Sequence, residues 1–334
     1  MALSYDRRAP ERLIDVLAPG GWARSLVEYG RSGQYALDLQ LRGYAGKPTH
    51  RATLYVGLTK VVDLHYHRDK GFCLDAHATY RQPKLGWRAQ WEHHQSEDEL
   101  TVEWPSVEDY LERVIPTLGS RYLKEGAVQS AISGFAGQDI VVIDREATIA
   151  FSSQNEKNAV TTRLSAPLLG AVEHSNGLAW WNAKPTSLGG ECDALAVTRG
   201  GDLLAIEIKP AKATRGITWA PLQARHYANL FVEWAQHVTD AVEVINGMLD
   251  QRVRLGLAND LAWRINQPIR VHPLIAIARG YSSAARTRLA EIHGRLVEVG
   301  LNDPPLQAAS VTLAGRLDAI ELPHDAGGGL ITPM

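Results

Sequence analysis

Two short apolar runs rich in strand formers, residues 191–197 and 203–208, are separated by the polar turn Thr198 to Asp202. Gly200 and Gly201 can take the positive φ a tight turn demands, so the pattern predicts a β-hairpin. Downstream, Leu222, Tyr227, Leu230, Phe231 and Trp234 recur at helical spacing, and Pro221 suits the first turn of that helix. Upstream, residues 162–176 predict a helix ending ahead of Gly177. Residues 270–278 then predict an apolar strand, 282–299 a helix carried by Leu289, Ile292, Leu296 and Val299, and 306–313 and 317–322 the last strands. This alternation is that of an α/β sandwich around one sheet.

The preceding part has a different texture. Short helices are expected over 9–17 and 22–29. Residues 52–62, 63–67 and 72–80 carry the β-branched and aromatic content of an antiparallel sheet, with a turn at 68–71. Ser106 to Asp109 reads as the capping signature of a helix reaching Tyr122. Residues 140–143 and 148–151 predict a hairpin, and the polar stretch 152–158 a linker. The expected division is an α+β domain over 1–157 and an α/β domain over 158–334.

Chemistry concentrates in the predicted hairpin. Side chains alternate along a strand, so Glu207 and Lys209 share one face while Ile206 and Ile208 share the other. Asp193 lies near the start of the partner strand, and the fold-back brings it toward Glu207. Carboxylates suit Mg²⁺ or Mn²⁺, which retain waters and accept phosphate oxygens. Such a site polarises a phosphate and activates water, and two metals about 3.5–4 Å apart clamp the attacking and leaving oxygens. Lys209 would position the water or neutralise developing charge. An isolated E-x-K on a strand is ordinarily a solvated pair. Residues 205–210 are otherwise apolar, however, and charges there are costly without a partner or a function. Gln223 and Tyr227, four apart, share a helix face. Gln223 could orient a metal-bound water and Tyr227 support or stack on a nucleic-acid strand; the plain alternative is a buried tyrosine beside a capping glutamine.

The order Asp193, Glu207-Ile-Lys209, then Gln223 and Tyr227 resembles the PD-(D/E)XK nuclease superfamily, and its Q-x-x-x-Y element resembles the RecB-like branch, over about residues 160–280. The resemblance implies a restriction-endonuclease-like core of helix, three-stranded meander, helix and strand. It implies Asp193 and Glu207 as metal ligands, Lys209 as the catalytic lysine, and Gln223 and Tyr227 as the auxiliary motif. A further ligand is expected on the helix before the hairpin, where Glu173 and His174 stand side by side. Neighbours on a helix diverge by about 100°, so one faces the site; Glu173 fits the wider superfamily and is preferred, with His174 as the alternative. Some RecB-like nucleases hold an iron–sulfur cluster through four cysteines; this chain has two, Cys73 and Cys192, so no such cluster is expected within one chain. Mg²⁺ or Mn²⁺ is the implied cofactor and DNA the implied substrate, acted on in repair, recombination or defence against foreign DNA. RNA is left open, as is a protein partner or a second copy of the chain.

The whole chain sets bounds on this reading. Its 334 residues favour two domains, and 45% hydrophobic with 22% charged residues is ordinary for a globular protein. No run approaches eighteen apolar residues and the N-terminus lacks the apolar segment of a signal peptide, so no membrane partner is expected. Two distant cysteines imply no disulfide framework, which makes a reducing cytoplasm the expected compartment. A net charge of −2 does not advertise nucleic-acid binding, although five basic residues (Arg199, Lys209, Lys212, Arg215, Arg225) stand against two acids between 199 and 225. His65 and His67 share a strand face without an evident third metal ligand, and Trp87, Trp91 and Trp104 suit core packing better than base stacking. The alternatives to a nuclease are a nucleic-acid-binding or assembly protein that kept the fold, and an unrelated enzyme with a fortuitous E-x-K hairpin. Neither a G-x-x-x-x-G-K-[ST] phosphate loop nor a G-x-S-x-G elbow is present to support the latter.

Overall fold

The structure, a computed structural model, describes residues 3–32, 37–43, 47–121, 125–134, 140–173, 184–258 and 263–322. Two compact units interleave along the chain: Met1–Tyr5, Gly137–Glu243 and Trp263–Met334 form one, and Asp6–Ala136 with Val244–Ala262 the other. The division therefore differs from a single boundary at 157. The strand Ile140–Ala147 is hydrogen-bonded into the sheet of the hairpin and belongs with it.

The unit containing 6–136 holds a four-stranded antiparallel sheet in the order β2 (Leu37–Arg42), β3 (Thr49–Val56), β4 (Thr59–His67), β5 (Gly71–Asp75). The run expected over 52–62 is split at Gly57, whose φ of +60° lets the chain reverse between β3 and β4. Helices α1 (Glu11–Leu17), α2 (Arg24–Arg31) and α3 (Glu97–Val114) contribute Leu13, Ile14, Leu26, Trp104 and Leu111 to one core with Leu39, Leu54, Leu64 and Leu74 of the sheet, and α4 (Glu125–Gly134) follows α3 along the chain. Trp87, Trp91 and Trp104 are buried in that core, so none offers a free ring face. Helix α3 starts nine residues before Ser106, with Ser96 as its cap. Ser96 accepts from the Glu99 N–H at 3.3 Å while Glu99 accepts from the Ser96 N–H at 2.8 Å, a reciprocal box that satisfies two otherwise orphaned donors. The Ser106 signature lies inside the helix, where Leu100, Trp104 and Val107 pack either side of Pro105. A late helix, α7 (Ala241–Leu255), returns to this unit: Gln251 exchanges hydrogen bonds with the Ala9 backbone at 2.6 and 2.9 Å.

The other unit is built on a six-stranded mixed sheet in the order β12-β11-β10-β9-β8-β6: β6 (Ile140–Ala147), β8 (Cys192–Thr198), β9 (Leu203–Lys209), β10 (Val271–Ala278), β11 (Gln307–Val311) and β12 (Leu317–Ala319). Strands β6, β8 and β9 are antiparallel neighbours, and β9, β10 and β11 are parallel. Parallel neighbours need a crossover, supplied by α6 (Thr214–His237) between β9 and β10 and by α8 (Ser283–Glu298) between β10 and β11. Ile217, Ala220 and Ala224 of α6 bury against Ile275 and Ile277 of β10 and Leu289 of α8. Pro221 is inside α6 rather than in its first turn, because the apolar face already begins at Ile217.

Two other expectations give way. The hairpin across 144–146 does not form: β6 runs unbroken to Ala147, and β7 (Ala150–Phe151) pairs with β1 (Leu3–Ser4). The expected linker 152–158 opens α5 (Gln154–Ala171), which Ser153 caps by accepting from the Glu156 N–H at 3.1 Å. The architecture is thus mixed α/β, with α5 falling between β6 and β8 in sequence rather than ahead of all three meander strands.

Candidate functional site

The β8–β9 ladder pairs Leu195 with Ala205 and Ala194 with Ile206, so the next residues outward, Asp193 and Glu207, stand opposite one another on one sheet face. The opposite face takes Cys192, Ala194, Ile206 and Ile208, all buried. The Asp193 carboxylate accepts from the Ile208 N–H at 2.7 Å and lies within hydrogen-bonding reach of the Glu207 carboxyl. Lys209, two residues along β9, forms an ion pair with Glu207, and the two side chains are only 11% and 2% exposed. Gly216 gives Lys209 its room, since a Cβ there would lie 3.1 Å from Lys209 Cδ.

Electrostatics follow from this burial. The Asp193 carboxyl is pushed above its ordinary range by burial, against the pull of Lys209, the Ile208 N–H and Glu207; Glu146 adds to the rise. Two buried carboxyls this close repel unless a proton or a cation lies between them. That donor set, hard oxygens from two facing strands, fits Mg²⁺ or Mn²⁺.

Gln223 and Tyr227 meet on α6, Gln223 hydrogen-bonding the Tyr227 hydroxyl. That hydroxyl also donates to the Leu188 carbonyl at 3.0 Å, and the ring is 4% exposed. Burial, then Glu207, Cys192 and Asp193, raise the phenol far above its usual value, so it remains a donor. In this position Tyr227 tethers the segment entering β8 and has no ring face for a base. Gly189 completes the fit: its φ is +80°, and a Cβ would come 3.0 Å from the tyrosine oxygen. His226 beside it is held neutral, its pKa lowered to about 4 by burial against a contact with the Gly189 backbone. Cys192 packs as a small core residue, and burial followed by Asp193 and Glu207 drives its thiol well above the usual value.

The helix ligand is placed differently from expectation. Glu173 is exposed on the turn beyond the end of α5, and its carboxylate makes no hydrogen bond or ion pair among the described residues. His174 lies outside the described residues. Glu146 of β6, absent from the sequence-based set, is the acid whose charge reaches Asp193. Its signal was hidden because β6 is separated from the hairpin by the whole of α5.

The basic residues divide. Arg225 is buried and held by the Pro304 carbonyl and Asn302, and Arg199 lies 5.3 Å from the Trp263 ring centre. Lys212 and Arg215, at the entrance to α6, are exposed. In the other unit, Asp63, His65 and Asp75 bring their ligand atoms within 4.8 Å of one another; Asp63 stands two residues before His65 on β4, and Asp75 faces Asp63 across the β4–β5 ladder. The Lys60 ammonium already lies 2.9 Å from Asp63 and 2.6 Å from Asp75, which accounts for that cluster as a compensated ion pair network. Among the described residues no helix is long and apolar enough to cross a membrane. No family model, curated protein or solved structure matches this chain.

Proposed function

We propose that this chain is a Mg²⁺- or Mn²⁺-dependent nuclease that hydrolyses DNA phosphodiester bonds, with Asp193 and Glu207 holding the metal. The observation that carries the reading is the pairing of these two carboxyls across adjacent strands, below the surface, with Lys209 on the same face. The bound metal would supply Lewis-acid polarisation of a phosphate oxygen and a water of lowered pKa. Lys209 then serves the developing negative charge: leaving Glu207 to the ion, its ammonium is two residues away on the same face. Gln223 and Tyr227 act by fixing the segment that delivers Asp193, through the Tyr227 bond to Leu188. Exposed Lys212 and Arg215 supply positive charge for the phosphate backbone.

The meander β6-β8-β9 followed by α6 and the parallel strand β10 supports a restriction-endonuclease-like core, entered by a rearranged path because β6 precedes α5. Cleavage of labelled single- and double-stranded DNA in Mg²⁺, Mn²⁺ or EDTA tests the reading, with Glu207→Ala and Lys209→Ala alongside the wild type. Metal-dependent cutting lost in both variants supports it. Tight DNA binding without cutting under either metal favours the non-catalytic alternative, and cutting that survives both substitutions puts the active site elsewhere.

A further inference from the structure

Strand β6 changes register against β8 by one residue. Ile140, Val141 and Val142 face Thr198, Val197 and Ala196, but beyond the irregularity Asp144 faces Leu195, Arg145 faces Ala194 and Ala147 faces Cys192. Continued without that shift, the ladder would set Arg145 opposite Asp193. With it, Glu146 stands there instead. A one-residue slip exchanges the faces of every side chain that follows, and bulges are a recurrent means of re-aiming a side chain beside a functional site. The consequence is a row of three carboxyl groups, Glu146, Asp193 and Glu207, on one face of three adjacent strands, about 5 Å from strand to strand. Arg145 is directed to the opposite face and is buried there.

Glu146 also holds a φ of +52°, the one positive-φ residue among the described residues that is not glycine. Glycine adopts that conformation without strain, whereas a residue with a side chain rarely does. In the conformation seen, the three carboxyl groups do not all close to within 4.8 Å of one another. Mg²⁺ and Mn²⁺ retain several waters, and an acid at that distance acts on the ion through them.

We infer that Glu146, set opposite Asp193 by the β6 bulge, is the third acidic group of the metal site, in the role sequence reasoning gave to Glu173. This inference rests on the metal-dependent reading of the Asp193–Glu207 pair. Its test is Mn²⁺ binding to the full-length protein by titration calorimetry, with urea denaturation as the folding control. Glu146→Gln is expected to weaken Mn²⁺ binding about ten- to a hundredfold, with Glu173→Gln unchanged. Glu146→Gly relieves the backbone, so it is expected to unfold at a higher urea concentration than wild type while still binding Mn²⁺ more weakly; a merely structural residue would not separate the two readouts. Wild-type affinity in both Glu146 variants, or a loss confined to Glu173→Gln, overturns the inference and leaves the metal site standing. A wild type that binds no Mn²⁺, or whose binding survives Glu207→Gln, overturns the site itself and the inference with it.

Discussion

Replacing Lys209 by methionine keeps most of the stem that passes Gly216 and removes the ammonium paired with Glu207. The magnitude depends on whether the pair is solvated. At 11% and 2% side-chain exposure it is not, so the relevant comparison is a buried pair broken from one side, not a surface bridge worth a fraction of a kcal/mol. Leaving a buried carboxylate uncompensated costs about 3–5 kcal/mol. Asp193 can share a proton with Glu207, which places the expected loss near the lower end, about 3 kcal/mol. That is about two powers of ten in the folding equilibrium. Urea denaturation of the metal-free protein at pH 8, followed by far-ultraviolet circular dichroism, measures it. Two controls sharpen the test. Lys209→Met with Glu207→Gln should recover much of the loss, because the stranded charge is gone. The deficit of the single variant should also shrink as pH falls, because protonation of the stranded carboxylate removes the uncompensated charge. A Lys209→Met protein within about 0.5 kcal/mol of wild type at pH 8, as for an ordinary surface substitution, would refute the argument that this pair is desolvated.

Two further outcomes follow from the same geometry. Tyr227→Phe strands the Leu188 carbonyl and should cost about 1–2 kcal/mol in urea denaturation, with Mn²⁺ affinity falling as the entry to β8 loosens; an unchanged midpoint would show that the tether carries no load. Asp193 has a raised folded-state pKa, so the folded chain binds more protons than the unfolded one between the ordinary aspartate value and the folded one, and stability falls as pH rises through that window. Asp193→Asn should remove this slope and leave the EDTA-treated protein more stable than wild type at neutral pH; a less stable variant would mean that the Ile208 N–H and Lys209 outweigh the burial of the charge.

What could be read from one sequence was local. The strands β8 and β9, their glycine turn and the facing of Glu207 and Lys209 follow from a period of two within eighteen residues, where the chain's own stiffness fixes which side chains share a face. The helical spacing of Leu222, Tyr227, Leu230 and Phe231 likewise located α6, although not its start, because Pro221 carries an N-terminal signal that packing from Ile217 overrides. Helix starts were harder to place: Ser153, which caps α5, stands in a polar stretch that reads as a linker, and the Ser106 signature falls inside a helix that the Ser96–Glu99 box begins. Only the tertiary structure decided what lies beside the hairpin. Sheet order is a long-range choice, and the neighbour of β8 comes from before α5, a strand whose pattern alone looked like half of a local hairpin. The single-residue bulge in β6 then determines whether an arginine or a glutamate meets Asp193. Nothing in the order of residues along β6 reveals that register, because it is set by the hydrogen bonds of a partner strand some fifty residues away.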